Sequence, residues 1–513
     1  MNNTGEFHSK LFWSNAMQKV RTMLPDTMML FRRLFIMLSA VMLFFHSSGE
    51  AQTDFDEWIK TEKDSFQEYR DARDAEFVGF LKEQWEEFEV FTGLVRDPSP
   101  KPTEIPTAPP APVEDPEPPD SRIIPEIPIL EYIAPSQEPV PSPQEPDIKK
   151  KGEKIEFLLH QTPLIIYVDP AFHATSVSSL DKDAISGFWS RMSQADYENL
   201  IEQFNAYRVS LNLNDWGLFY LVHQTGLYVF KNTTEAGLFV WFVSSKMGYD
   251  TRIGYGRDKA YLLMPCSSTL YGVQYLTLEN RKYYAMFFGQ VAESFESIYT
   301  YKGSYPQSDR VIDVSIPEVP GINISLNSRD LSFVYDNNEY SFTVSYNKSL
   351  IEFFKYYPQT DLKVYFQAGI SPETESELVK FLKPILEGRS EKEAVDILLR
   401  LVQTSFDYKT DDEQFGMEKY LLPMETFYYP YSDCEDRSFM FAWLVKRLLG
   451  LEVVGLDYPG HLATAVKFSN DFKGDFIIHN SKKYIVCDPT YINAIAGMAM
   501  PVYNNVKPAI ILF

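Results

Sequence analysis

The sequence predicts an α+β protein: helices and antiparallel strands gathered into two globular parts, behind an N-terminal helix and a proline-rich linker. Three observations predict it. Along 154–513 the apolar residues switch repeatedly between helical and strand periods. Near the C-terminus a cysteine opens a helical run (Cys434), a histidine opens a strand (His461) and an aspartate closes another (Asp488). Finally, the stretch 232–288 repeats the spacing of apolar residues and glycines found in 432–488.

The composition bounds the rest. A chain of 513 residues, 45% hydrophobic and 15% aromatic, can bury two or three domain cores. A net charge of −23 disfavours nucleic acid and a site on anionic lipid, both of which call for basic patches. The three cysteines, Cys266, Cys434 and Cys487, give neither a disulfide framework nor a CxxC metal spacing. No Walker loop, dinucleotide glycine pattern or HExxH is present, so nucleotide and zinc chemistry have no support.

Taken in order, 1–51 reads as a secretory signal peptide. Arg32 and Arg33 precede an apolar run, and Gly49 and Ala51 supply small residues for cleavage. This implies an exported chain, in the periplasm or cell envelope, with no membrane span in the mature form. The competing reading is an uncleaved N-terminal anchor. Residues 52–97 form an amphipathic helical segment in which Phe55, Trp58, Phe66, Tyr69, Phe77, Trp85, Phe88 and Phe91 recur at roughly helical spacing. Residues 98–153 are rich in proline and acid and read as an extended spacer, with a more apolar run at 123–133 that can dock.

A first globular part spans 154–305, with a strand pair at its start, helices across 181–221 broken near Asn212, and then a helix running into a strand. Residues 306–370 alternate in the strand manner and form a β-rich connecting segment. Within it, Asp336-Asn337-Asn338 marks a hairpin. The last part, 371–513, opens with two helices. Ser371 caps the first, with Pro372 at its first position; Ser390 caps the second, with Glu393 completing a capping box.

Cys434, His461 and Asp488 suggest a triad. A thiolate attacks, an imidazole takes and returns the proton, and a carboxylate fixes the imidazole's orientation. Ser432 and Glu435 form a capping-box pattern that puts Cys434 in a first helical turn, where free N–H groups favour a thiolate. Asp433, Glu435 and Asp436 oppose this, so a cation, Arg437 or a metal, is expected beside them. Cys266 and Cys487 read as core thiols, and His479 is the rival base.

DCED at a helix start, GH opening a strand and a strand ending in DP resemble the transglutaminase-like superfamily, which includes bacterial cysteine proteinases. The resemblance covers about 371–513 and implies a papain-like transglutaminase-core fold there. It implies Cys434 as nucleophile, His461 as general base and acid, and Asp488 as orienting carboxylate. It also implies a protein or peptide substrate, cell-wall peptide stems among the candidates, with hydrolysis or transfer of an amide bond as the reaction. In some members acidic residues flanking the nucleophile bind calcium, and Asp433 and Glu435 stand at those positions. The repeat at 232–288 then reads as a degenerate transglutaminase-like domain, with Thr234, Lys259 and Phe288 where the triad would be. The alternative is an inactive envelope scaffold or binding protein built on two such units.

Overall fold

The computed structural model describes residues 49–94, 101–109, 146–177, 179–256, 259–289 and 294–513. The apolar run expected to be a signal sequence and the apolar run at 123–133 lie outside the described residues. The chain forms two compact units, 1–72 and 73–513. The described part of the first lies within helix α1, Gly49–Glu83. Trp58, Phe66 and Tyr69 are exposed along it. Among the described residues no helix is long and apolar enough to cross a membrane.

The second unit is α+β, as expected. After α1 come β1 (Glu86–Glu89), the hairpin β2 (Glu153–Leu159) and β3 (Thr162–Val168), then four helices: α2 (Lys182–Gln194), α3 (Tyr197–Ser210), α4 (Asp215–Phe230) and α5 (Thr233–Lys246). His160 and Gln161 turn the β2–β3 hairpin with positive φ, as Asp336 and Asn337 do in the later one. Asn212, also at positive φ, breaks the helical run where expected.

β4 (Arg252–Tyr255), β5 (Ala260–Met264), β6 (Tyr275–Leu278), β7 (Arg281–Met286) and β8 (Ser297–Thr300) complete a six-stranded sheet in the order β1-β8-β4-β5-β7-β6. A bridge between Phe91 and Tyr275 joins its two edges, so the sheet is a nearly closed barrel. This corrects one expectation. Trp85, Phe88 and Phe91 are not helical: Glu86–Glu89 pairs antiparallel with Ser297–Thr300, and Phe88 and Val90 alternate onto the barrel core. The 88/91 spacing fits both periods, and pairing with a distant strand decides it.

The connecting segment is the hairpin β9 (Leu326–Tyr335) and β10 (Asn338–Asn347), followed by α6 (Lys348–Phe354) and α7 (Leu362–Gln367). Residues 362–367 were expected to be a strand. Leu362, Tyr365 and Phe366 are buried at helical spacing, and Tyr365 and Phe366 pack on Phe439, which favours the helix.

The last part has α8 (Pro372–Leu386), α9 (Glu391–Ser405), β11 (Asp407–Tyr408), α10 (Asp411–Phe415), β12 (Tyr431–Ser432) and α11 (Cys434–Leu449). Then follow β13 (Glu452–Tyr458), β14 (His461–Lys467), β15 (Phe476–His479), β16 (Lys482–Cys487) and β17 (Ala509–Ile511), in the curled sheet order β15-β16-β14-β13-β17. Ser371 caps α8 and Ser390 with Glu393 boxes α9.

The two parts share a plan. After α5 the strands run β8-β4-β5-β7-β6 across the sheet; after α11 they run β17-β13-β14-β16-β15, the same order with the same antiparallel pairings. A single continuous core holds residues from both, among them Trp189, Trp241, Phe439 and Leu444.

Candidate functional site

Helix α11 begins at Cys434, with Asp433 as its N-cap and Asp436 reaching back to the Asp433 N–H at 3.2 Å. The expected box of Ser432 and Glu435 is therefore displaced by one residue, because Ser432 is held in β12 by pairing with Tyr408. Cys434 still falls in the first turn. Ser438, one turn along, donates to Leu462 O at 2.9 Å and ties the helix to the strand that His461 opens. Gly460, at φ 72, makes the two-residue turn that delivers His461 opposite Tyr458.

His461 Nε2 lies 2.8 Å from Asp488 Oδ2. Asp488 Oδ1 accepts from the N–H groups of Thr490 at 2.9 Å and Tyr491 at 3.2 Å, so this carboxylate is fixed on both oxygens. Gln403, reaching in from α9, donates to the carbonyls of Asp488, Tyr491 and Ala494 and holds that loop down. Burial disfavours the imidazolium, but the charge and hydrogen bond of Asp488 outweigh it and raise the His461 pKa. Among the described residues the buried Nδ1 atom has no hydrogen-bond partner.

The thiol is not hydrogen-bonded to that nitrogen. Cys434, 0% exposed, donates to Glu435 Oε2 at 2.8 Å. Burial, then the carboxylates of Glu435 and Asp433, push the thiol well above its ordinary pKa. The structure therefore brings His461 and Asp488 together and holds Cys434 as a neutral thiol bonded elsewhere.

Of the cations expected here, Arg437 lies close enough for its charge to act on Asp433, Asp436 and Cys434. Arg437 is fully buried but donates to Ser432 Oγ, Gln403 O and Phe406 O. The cation in direct contact with the acids is Lys101, from the proline-rich segment. Its Nζ lies 2.6 Å from Glu418, 2.7 Å from Asp433, 3.0 Å from Glu435 and 3.7 Å from Asp411. Burial works against its charge; Glu435 and Asp433 outweigh burial and hold it protonated. No local signal marks Lys101, and this corrects the reading of 98–153 as a free spacer at residues 101–109, which dock.

One ammonium does not balance so many buried acids. Burial, then neighbouring carboxylates, push Asp411, Asp433 and Asp436 above the usual carboxylate range. Such groups bind protons more tightly folded than unfolded, so stability falls as pH rises from the ordinary carboxylate value through their folded values. His461, also raised, loses its contribution as pH rises through its own folded pKa. We expect a melting temperature that is highest in mildly acidic buffer and falls by several degrees towards about pH 9. A scanning fluorimetry series with a flat or rising trend over that range would contradict this.

Asp411, Asp433 and Asp436 place one oxygen each within 4.8 Å of one another, and among the described residues the buried Asp411 Oδ1 and Asp433 Oδ1 have no hydrogen-bond partners. These hard oxygens suit a divalent cation in kind. The expected pair, Asp433 and Glu435, fits less well, because Glu435 Oε2 already accepts a hydrogen bond from the Cys434 thiol and contacts Lys101. Of the other predicted groups, burial pushes the half-buried Cys266 up to about 12 and the buried core thiol Cys487 well above its ordinary value. Tyr428 and Tyr429 pack against each other and against Tyr346 and Phe415.

The earlier repeat is also readable in geometry. Asn232 caps α5 as Asp433 caps α11, so Thr233, not Thr234, stands at the helix start, and Phe287, not Phe288, follows the end of β7. Lys259 hydrogen-bonds to Gly256 across the turn before β5, matching His461. None of the three can serve as nucleophile, base and orienting acid together.

No family model, curated protein or solved structure matches the chain.

Proposed function

We propose that the chain is an exported thiol enzyme of transglutaminase-like type, acting on an amide bond of a protein or peptide through Cys434, His461 and Asp488. One observation carries the reading: a buried His461–Asp488 pair at 2.8 Å with a free Nδ1, on a strand tied to the helix that Cys434 opens. With Nε2–H donated to Asp488, the Nδ1 lone pair is left to take the thiol proton. Sγ then bonds to the carbonyl carbon, and His461 returns the proton to the departing amine as the C–N bond breaks. Water, losing its proton to His461, releases the acyl group and the thiol re-forms; an amine in place of water makes the reaction a transfer. N–H groups of the first turn of α11 are the available oxyanion donors. If calcium binds, Asp411, Asp433 and Asp436 would hold it and drain negative charge from around the thiol. The same strand order in 232–300 supports a degenerate domain of the same type upstream.

The test is thiol reactivity against pH, for the native protein beside Cys434→Ala and His461→Ala. The expected result is one alkylatable thiol that vanishes in the first variant and slows about 10²-fold or more in the second. A Cys434 no faster than Cys266 and indifferent to His461 would sink the enzyme reading. It would favour an inactive scaffold, which the Cys434–Glu435 hydrogen bond already suits.

A further inference from the structure

The proline-rich segment does more at the site than lend a charge. Residues 101–108, with a bend at Thr103 and Glu104, cross the last part of the chain from the start of α11 to the loop that follows Asp488. At one end Lys101 is encircled by Asp411, Glu418, Asp433 and Glu435, its side chain only 5% exposed. Next, the Pro102 carbonyl accepts from Tyr408 at 2.7 Å. At the other end Thr107 pairs in parallel with Ile492. Ala108 N–H donates to Ile492 O at 2.7 Å and Ile492 N–H to Pro106 O at 2.8 Å. Ala108 is buried among Tyr491, Ala494 and Met500. The contact is a single parallel bridge to a loop residue, with two backbone bonds beside a small side-chain pocket, the combination by which peptide recognition draws affinity from backbone and choice from side chains.

The pocket is specific in charge. Glu435 Oε2 takes both the Cys434 thiol and the Lys101 ammonium, so the occupant sits two contacts from the candidate nucleophile. Among the described residues, Asp411 and Asp433 each keep a buried oxygen without a hydrogen-bond partner, and both residues are almost wholly buried. A neutral side chain there would leave these acids uncompensated.

We propose that 101–108 is a resident occupant of a peptide groove, and that the groove's proper ligand is an extended polypeptide bearing a lysine, whose ammonium enters the nest of Asp411, Glu418, Asp433 and Glu435. The consequence for catalysis rests on the thiol-enzyme reading: the strap closes the site, and a substrate with the same chemistry takes its place. The groove itself stands apart from that reading, because binding needs no chemistry.

The experiment uses the full chain with Lys101→Met and Ala108→Asp, which removes the ammonium and expels the buried end of the strap. A fluorescent peptide with the sequence of 99–109 is titrated by anisotropy beside one with norleucine for lysine. The lysine peptide is expected to bind the variant saturably, at least tenfold more tightly than it binds the native chain and than the norleucine peptide binds the variant. No saturable binding, or equal binding of the two peptides, overturns the proposal. Calcium ions that bind the variant and leave the lysine peptide no affinity also overturn it, as the nest is then a metal site. Should the double variant not fold, Lys101→Met alone takes the same two peptides and the same criteria.

Alkylation of Cys434 in the same samples separates the two ideas. Peptide binding with an inert Cys434 keeps the groove and removes the enzyme. A Cys434 whose reactivity depends on His461, without peptide binding, does the reverse.

Discussion

Replacing Arg437 with methionine is expected to destabilise the protein by about 3–5 kcal/mol, the range for removing one partner of a buried charged network. The side chain is 0% exposed and its donors serve Gln403 O and Phe406 O, where α9 ends, and Ser432 Oγ, where α11 is about to begin. Its guanidinium also lies 5.4 Å from the Tyr408 ring. Methionine keeps much of the volume and supplies none of the donors, so buried acceptors are left without hydrogen, each costing about 1–3 kcal/mol. Burial already pulls the Arg437 pKa down to about 10, which shows how strongly the site opposes the charge it contains. The measurement is a urea midpoint with the slope held unchanged. A loss below about 1 kcal/mol would mean that the aliphatic stem packs and the hydrogen bonds add little. Because Arg437 joins the end of α9 to the start of α11, the same substitution should also loosen the first turn that carries Cys434.

What could be read from the sequence was what local physics decides. Ser390 with Glu393, Pro372 behind Ser371, and Asp336-Asn337 at the hairpin each specify backbone geometry within a few residues, and each stands where expected. The order of Cys434, His461 and Asp488 was legible for the same reason: the first two open and the third closes an element whose period is plain. What was missed depends on partners far along the chain. Lys101 reaches Asp433 across 332 residues, and proline-rich sequence around it argues for a spacer, not a buried cation. Glu86–Glu89 becomes a strand only because Ser297–Thr300 is there to pair with it. The cap of α11 slipped from Ser432 to Asp433 because β12 claims the serine. Residues 362–367 fit a strand by composition, yet their buried face against Phe439 follows a helix. Local propensity is a weak prior that tertiary pairing overrides.

Asp488→Asn is expected to slow alkylation of Cys434 by His461-assisted proton removal about 10²–10⁴-fold, with little change in fold. The asymmetry of the two carboxylate oxygens makes the case. Oδ1 accepts from two backbone N–H groups, Thr490 and Tyr491, and only an oxygen can stand there. An asparagine must therefore keep its carbonyl in that place and turn its amide nitrogen towards His461 Nε2, where Oδ2 was 2.8 Å away. The amide donates, so Nε2 must accept and the ring proton moves to Nδ1. The one nitrogen left to receive the thiol proton is then blocked, although the loop, the strand and the imidazole stand where they did. The substitution also removes the anion that raises the His461 pKa, so any residual rate should respond to a histidine titrating lower than in the native chain. A rate–pH profile for Cys434 in the native protein and in Asp488→Asn, with melting temperatures alongside, checks both parts. Equal rates in the two proteins would show that His461 does not take the proton through Nδ1, and the Asp488 contact would then be a support for the loop alone.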